Sequence, residues 1–157
     1  GLDLGCGTGL AGLAFASIVD ILDGVDLSPG MIERARATQV YRKLDVADMV
    51  EALRCEDAAS ADLLLAADAL VYLGDLAELF AETARVLAPE GSFAFTVEAG
   101  SGEGFALGEG LRYVHGEKYL RAALAAAGFD ASDVAPVSTR TDGGLPVPGF
   151  VVVTERR

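Results

Sequence analysis

A glycine-rich run near the start of the chain is the feature with the clearest chemical use. Residues 3–9 read DLGCGTG, so Gly5, Gly7 and Gly9 alternate with other residues. Glycine has no Cβ, which lets the backbone approach a ligand, and the free N–H groups at the start of a helix attract polar groups. The run therefore predicts a ligand-binding turn between a strand and a helix, although a simple tight turn would use the same residues.

A carboxylate 21 residues after Gly5 narrows the kind of ligand. Asp26 ends the second predicted strand, where it can accept both hydroxyl hydrogens of an adenosine ribose. The loop spacing differs from that of a dinucleotide site, because Leu10 occupies the position at which a pyrophosphate-binding loop needs glycine or alanine. This spacing disfavours a nicotinamide-dependent oxidoreductase, which stays as one alternative.

The elements that position these residues follow from the hydrophobic pattern. Apolar strand-like runs alternate with helical periodicity, which predicts a doubly wound α/β fold with helices on both faces of a mostly parallel, seven-stranded sheet. After a first strand that ends at Leu4, strands are expected at residues 24–27, 41–46, 62–67 and 92–98. Helices are expected at residues 10–21, 29–37, 49–53, 75–87 and 117–127. The last runs, 131–139 and 150–155, flank a turn-rich segment at 142–149 and predict an antiparallel C-terminal hairpin at the sheet edge.

Charge and composition exclude several classes of function. Acidic residues outnumber basic ones 24 to 12, and a net charge of −12 repels phosphates, so we expect no specific binding of nucleic acid. Cys6 and Cys55 provide neither a disulfide framework nor a metal-site spacing, which predicts a cytoplasmic protein without a metal. The apolar runs are too short to span a membrane. The chain begins within a strand, which predicts an upstream segment that helps to cover the ligand.

The two motifs resemble those of a known family. Residues 2–9, together with residues 24–31 (GVDLSPGM), resemble the first two motifs of class I S-adenosylmethionine-dependent methyltransferases. This resemblance implies a Rossmann-like fold and S-adenosyl-L-methionine as the cofactor. It also implies that the three glycines line the methionine and ribose, that Asp3 supports the loop or the cofactor's amino group, that Asp26 holds the ribose and that Met31 packs on the adenine. The implied cofactor-binding residues are Asp3, Gly5, Cys6, Gly7, Gly9, Asp26, Leu27, Met31, Asp48, Met49, Ala66 and Ala67.

Two later segments extend the resemblance. Residues 44–49 are similar to the family's third-strand end, whose acidic residue accepts the adenine amino group. Asp48 is the first choice for that role and Asp45 the second, depending on register. Residues 62–73 are similar to the segment beneath the transferable methyl, where Ala66 and Ala67 would offer backbone and Asp68 a side chain. The Asn/Asp-Pro-Pro-aromatic sequence of members that methylate amide or nucleobase nitrogens is missing. Residues 68–76 and 147–149 most resemble bacterial methyltransferases fused to tetratricopeptide repeats.

The resemblance implies methyl transfer to a small molecule or a protein side chain. Because the donor methyl is already activated, a base is needed only if the acceptor must lose a proton. Asp68, Tyr113 and His115 are the predicted candidates. A carboxylate acceptor would need no base. A non-catalytic domain that binds S-adenosylmethionine and serves a regulatory role would keep the same motifs and is the other alternative.

Overall fold

The computed structural model describes residues 1–108, 110–129 and 133–156. A short 3-10 helix covers Leu70–Tyr72. The other elements, in chain order, are β1 (Leu2–Leu4), α1 (Leu10–Phe15), β2 (Asp23–Asp26), α2 (Pro29–Ala37), β3 (Lys43–Val46), α3 (Met49–Cys55), β4 (Ala61–Ala66), α4 (Ala77–Val86), β5 (Leu87–Ala99), β6 (Phe105–Leu107), β7 (Tyr113–His115), α5 (Glu117–Ala126), β8 (Asp133–Asp142) and β9 (Leu145–Glu155).

The sheet has the predicted arrangement. Strands β3, β2, β1, β4 and β5 are hydrogen-bonded in that spatial order and are parallel. On the far side of β5, β9 pairs antiparallel with it, and β8 pairs antiparallel with β9. This confirms the doubly wound α/β fold with seven mostly parallel strands and an antiparallel C-terminal hairpin.

Two separate clusters of buried residues cover the sheet. The larger contains Leu53 of α3, Phe80 of α4 and Leu124 of α5, packed on the central strands. Phe80 lies against Phe95, with 5.4 Å between ring centroids. The smaller cluster contains Ile32 and Ala35 of α2, with Tyr41 packed against it. Burying one large apolar side chain contributes about 1.5–3 kcal/mol, so these helix faces supply much of the stability that holds the strands in register.

Some predicted boundaries are wrong, for local reasons. Helix α1 ends at Phe15 and not at residue 21, since Ile18 and Ile21 are exposed and bury no surface that would support further turns. The predicted helix 75–87 is Ala77–Val86, and β5 begins directly at Leu87.

The C-terminal hairpin is longer than predicted. Its strands β8 and β9 meet at Gly143 and Gly144, whose φ angles of 54° and 82° allow a two-residue turn in place of the expected one at 142–149. Residues 131 and 132 of the predicted strand lie outside the described residues.

A second hairpin lies between β5 and α5, where the sequence predicts no strand. Strands β6 and β7 pair antiparallel, and β7 also pairs in parallel with Glu98 and Ala99 at the end of β5. The pairing between β4 and β5 ends earlier, at Ala66 and Phe95. The β6–β7 hairpin therefore lies beside β5, beyond the carboxyl end of β4. Among the described residues, no helix is long and apolar enough to cross a membrane.

Candidate functional site

A cavity of about 690 Å³ opens at the carboxyl ends of β1, β2, β3 and β4. Ligands of doubly wound sheets bind at this edge, and the volume suits a nucleoside-sized molecule. Its wall is formed by Gly5, Cys6, Gly7, Thr8, Leu10, Ala11, Asp26, Leu27, Ser28, Met31, Ala47, Asp48, Met49, Ala67, Asp68, Ala69, Tyr72 and Leu73. Each predicted motif that follows one of these four strands therefore contributes to one site.

Each of the three glycines in the loop occupies its position for a different structural reason. All three have positive φ: 66° at Gly5, 53° at Gly7 and 89° at Gly9. A Cβ on Gly5 would lie 2.5 Å from the Cβ of Ala69, so the loop packs tightly on the segment after β4. A Cβ on Gly7 would meet no atom within 4 Å. Gly7 thus presents bare backbone to the cavity, whereas Gly9 packs against α2 and does not line the cavity.

Asp26 joins the glycine loop to the start of α2. Its Oδ2 accepts a hydrogen bond of 2.9 Å from the N–H of Gly7, and its Oδ1 accepts one of 2.8 Å from the N–H of Ser28. The carboxylate is half-buried and lines the cavity. Each carboxylate oxygen can accept a further hydrogen bond. Asp26 therefore shapes the loop and at the same time presents acceptors to a ligand.

Asp45 and Asp48, the two acidic residues considered for the adenine amino group, lie in different places in the structure. Asp48 lines the cavity and caps α3, because its Oδ1 accepts hydrogen bonds of 2.9 Å from Val50 N and 3.2 Å from Glu51 N. Asp45 lies on β3, pairs with Lys43 and is not part of the cavity wall. Of the two carboxylates, Asp48 is the one placed to contact a ligand.

Large apolar side chains in the wall are exposed. Leu10 is 74% exposed, Leu27 68% and Met31 39%, and Met49 joins them in the wall. Contiguous apolar surface left open to water in a cleft commonly marks a binding site. The combination of these side chains with Asp26 and Asp48 suits a ligand with a flat apolar ring and polar edges.

Asp3 lies behind the loop and outside the cavity wall. It is fully buried, and its Oδ2 accepts a hydrogen bond of 2.6 Å from the hydroxyl of Tyr41. Burial raises the pKa of Asp3 to about 6, against the opposing effect of the Tyr41 bond. Tyr41 fills the space above Gly12 and Gly24, where a Cβ would lie 2.3 Å from its hydroxyl oxygen and 2.9 Å from its ring, respectively. Asp3 is therefore placed to support the loop from below.

At the far end of the cavity, Asp68 follows β4 in an unusual conformation. Ala66 is buried behind the wall, while Ala67 and Asp68 are exposed in it. Asp68 has a φ of 53°, a left-handed value that non-glycine residues seldom adopt. Its N–H donates to Thr96 Oγ1 at 2.8 Å, and its carboxylate pairs with the guanidinium of Arg112. These two contacts hold the strained turn in place, and the ion pair with Arg112 occupies the Asp68 carboxylate.

The structure does not bring the other two predicted catalytic residues to the cavity. His115 is fully buried, its Nε2 lies 2.9 Å from the carbonyl oxygen of Gly74, and burial lowers its pKa. Tyr113 is half-buried against Phe105, with 6.2 Å between ring centroids. Both residues stand on the same face of β7, two positions apart, and that face packs against protein. Of the three predicted bases, Asp68 alone lines the cavity.

Two further residues at this end have no role predicted from the sequence. Tyr72 is 62% exposed in the wall, and Arg112 reaches both Tyr72 and Asp68. A single arginine in a glycine-rich loop carries no pattern that would identify it. Cys6 is buried, and burial raises the pKa of its thiol to about 12, which disfavours the nucleophilic thiolate. No group of three or more potential metal ligands occurs among the residues that the structure describes.

Comparison with known proteins finds a matching family and a curated relative. Residues 2–95 match a family model described as "Methyltransferase domain". Malonyl-[acyl-carrier protein] O-methyltransferase of Serratia marcescens is 33% identical over 124 residues, which are 78% of this chain and 47% of that protein. The chain thus spans about half the length of this curated relative.

Two solved structures show the same fold. One is a Burkholderia thailandensis 1,6-didemethyltoxoflavin-N1-methyltransferase with bound 1,6-didemethyltoxoflavin and S-adenosylhomocysteine. It has a TM-score of 0.79 and 21% identity, over 99% of this chain and 69% of that one. The other is an S-adenosylmethionine-dependent methyltransferase from Archaeoglobus fulgidus, with a TM-score of 0.79 and 14% identity, over 99% and 85% of the two chains.

Proposed function

We propose, from the premise that the chain belongs to the methyltransferase domain family, that it binds S-adenosyl-L-methionine in the cavity and transfers the methyl group to a small-molecule acceptor. The observation that carries this proposal is the loop geometry. Gly7 presents bare backbone to the cavity, and Asp26 beside it offers acceptors to a ribose. A side chain at position 7 would occupy the space that the cofactor needs.

The residues of the wall fit the parts of this cofactor. Asp26 would accept the two ribose hydroxyl groups, and Asp48 would accept the adenine amino group. Leu27, Met31 and Met49 would cover the adenine with apolar surface, while the backbone at Gly5 and Gly7 would lie along the methionine and ribose. Asp3 would act through Tyr41 and the loop, and Gly9 through its packing on α2.

This placement separates the chemistry that the cofactor would supply from the tasks left to the chain. Bound S-adenosyl-L-methionine supplies a methyl group already activated by its sulfonium. The chain has to hold the acceptor in line with that methyl and exclude water, and alignment alone can contribute about 7–11 kcal/mol. The acceptor would lie where Ala67, Asp68 and Tyr72 form the wall, below the β6–β7 hairpin.

The class of acceptor is narrowed by charge and by the relatives. A net charge of −12 opposes binding to RNA or DNA. The Serratia marcescens relative is an O-methyltransferase by name, and the Burkholderia thailandensis structure contains a small-molecule acceptor, so a small molecule with an acceptor oxygen is the first class to test. A protein side chain is the second class, as would suit a domain joined to tetratricopeptide repeats.

Calorimetric titration and turnover together test the proposal. We expect S-adenosylhomocysteine to bind and NAD not to bind, because the loop lacks the dinucleotide spacing. Gly7→Val should abolish this binding, whereas Gly30→Ala in α2 should not, since a Cβ there meets its nearest atom at 3.9 Å. Binding of NAD in preference would contradict the proposal. Binding of S-adenosylhomocysteine without turnover of any acceptor would favour a regulatory domain instead.

A further inference from the structure

We infer that Tyr72 selects the methyl acceptor by donating its hydroxyl hydrogen to an uncharged oxygen of that molecule, the oxygen of a ketone or an amide. The inference rests on the proposed methyl transfer. It adds both the residue that recognises the acceptor and the chemical group that is recognised. It starts from the place of Tyr72 in the cavity wall, in the short 3-10 helix after β4.

The Tyr72 side chain is left open to the cavity, unlike its neighbours. Leu70 and Val71 of the same 3-10 helix are buried in the core, whereas Tyr72 is 62% exposed. The two buried side chains hold the backbone in place, so the ring has a defined position although little protein covers it. An exposed tyrosine in a cavity wall offers a ligand apolar surface and one polar group at the end of the ring.

The Tyr72 hydroxyl uses its oxygen but not its hydrogen within the protein. The oxygen accepts a hydrogen bond of 3.2 Å from Nη1 of Arg112, whose guanidinium also lies 5.2 Å from the centroid of the ring. A guanidinium has donors only, so this bond occupies a lone pair of the hydroxyl and leaves its hydrogen. Within residues 1–108, 110–129 and 133–156, no group accepts that hydrogen. The hydroxyl is therefore available to donate to a ligand in the cavity.

Arg112 positions this hydroxyl and does not itself line the cavity. Its side chain is only 15% exposed, its Nε donates to the buried Glu98 at 2.7 Å, and its Nη2 pairs with the carboxylate of Asp68. Glu98 Oε1 also accepts from Nε of Arg140 at 2.9 Å. The Tyr72 hydroxyl is thus connected to β5 and β8 before any acceptor arrives. A donor held in place beforehand loses little freedom when a ligand binds.

The charges at this end oppose an anionic group on the acceptor. The cluster behind Tyr72 contains the guanidinium groups of Arg112 and Arg140 and the carboxylates of Glu98, Asp68 and Asp142. The cavity wall itself contains three aspartates and no basic residue. A carboxylate beside Tyr72 would meet like charge and would also lose its hydration, whereas a ketone or amide oxygen is neutral and costs less to remove from water. These observations favour an uncharged oxygen as the partner of the hydroxyl.

The experiment measures transfer of a tritiated methyl group from S-adenosylmethionine to two sets of matched compounds. The first set is 3-acetylpyridine, 3-ethylpyridine and nicotinate, and the second is 3-hydroxyacetophenone, 3-ethylphenol and 3-hydroxybenzoate. Within each set the compounds carry a ketone, an ethyl group or a carboxylate. The ring nitrogen or the phenol oxygen forms the bond to the methyl carbon, while the methyl–sulfur bond breaks and leaves its electron pair on sulfur. The phenols also lose their proton to water.

The readout is the ratio of kcat/KM for the ketone to kcat/KM for the ethyl compound of the same set. Intrinsic reactivity differs between the two compounds, but this difference cancels when a variant is compared with the wild type. Tyr72→Phe removes the hydroxyl and keeps the ring. We expect it to lower kcat/KM for the ketones about 2- to 10-fold, mainly through KM, and to change the ethyl compounds less than twofold. Arg112→Gln should lower the same ratio, because the hydroxyl loses its hydrogen-bond donor.

Two measurements separate this role from a structural one and from the proposed function. Tyr72→Phe should keep the wild-type melting temperature and affinity for S-adenosylhomocysteine, and the carboxylates should have the highest KM of each set. An equal fall for ketones and ethyl compounds, an unchanged ratio in Tyr72→Phe, or no label on either ketone would overturn the inference. Failure of the wild-type protein to bind S-adenosylhomocysteine would instead contradict the proposed function.

Discussion

Replacing Asp26 by Asn tests the cofactor site most directly, because this carboxylate has two roles. Both oxygens hold backbone N–H groups, those of Gly7 and Ser28. Asn keeps one acceptor and turns the other into an N–H donor that must face a backbone donor. At least one charge-assisted hydrogen bond is lost, which is worth about 1.5–3 kcal/mol, and the half-buried position places the loss of unfolding free energy near the lower value.

The loss of affinity should be larger than the loss of stability. A ribose would lose one or both of its charged acceptors, and the loop that contacts it would shift. We expect S-adenosylhomocysteine to bind about 10- to 1000-fold more weakly in calorimetric titration. Asp23→Asn is the matched control. Asp23 begins the same strand, forms a surface ion pair with Arg42 and does not line the cavity, so affinity should stay within twofold. Unchanged affinity of Asp26→Asn with a lower melting temperature would refute the reasoning and make Asp26 purely structural.

Two other predictions concern the support of the glycine loop. The folded state holds the proton of Asp3 more tightly than the unfolded chain does, so this residue lowers the free energy of unfolding as pH rises from about 4 to 6. Tyr41→Phe removes the bond to the charged form. Denaturant unfolding should therefore show a loss of about 2–3 kcal/mol at pH 8 and about 1 kcal/mol at pH 5, and equal losses at both pH values would contradict the role of Asp3. Gly5→Ala places a Cβ 2.5 Å from that of Ala69 at a φ of 66°, which should cost at least about 1–2 kcal/mol and weaken S-adenosylhomocysteine binding. Gly30→Ala should do neither, and a Gly5→Ala protein with wild-type melting temperature and affinity would show that the loop is not tightly packed.

The cofactor end of the site could be predicted because its residues follow consecutive strands. In a parallel sheet, the carboxyl ends of all strands meet at one edge, so the order of motifs along the chain already indicates their proximity. Gly5 follows β1, Asp26 ends β2 and Asp48 follows β3, and all three line one cavity. The parallel pairing of β1 with β2 and of β2 with β3 agrees with the predicted parallel sheet.

Other features could not be predicted, because they depend on contacts between distant parts of the chain. The hydrogen bond between Asp3 and Tyr41 joins residues 38 positions apart, and neither residue type by itself predicts it. The chemistry of imidazole makes His115 a reasonable candidate base. Its burial, however, depends on where β7 packs, and the sequence does not predict that position. Helix α1 stops at Phe15 although the periodicity continues, and Ile18 and Ile21 of the predicted helix remain exposed.

The proposed acceptor end depends on the β6–β7 hairpin, and this has a consequence for specificity. Strands β6 and β7 have three residues each, too few for a pattern of alternation to be recognised within a glycine-rich segment. Two residue pairs join β7 to the end of β5, and the contacts of His115 with Gly74 and of Arg112 with Glu98 also hold the hairpin. The cofactor end is built from separate loops after β1, β2 and β3. Because the two ends share only the segment after β4, we expect changes in the hairpin to alter the choice of acceptor while leaving the proposed cofactor contacts intact.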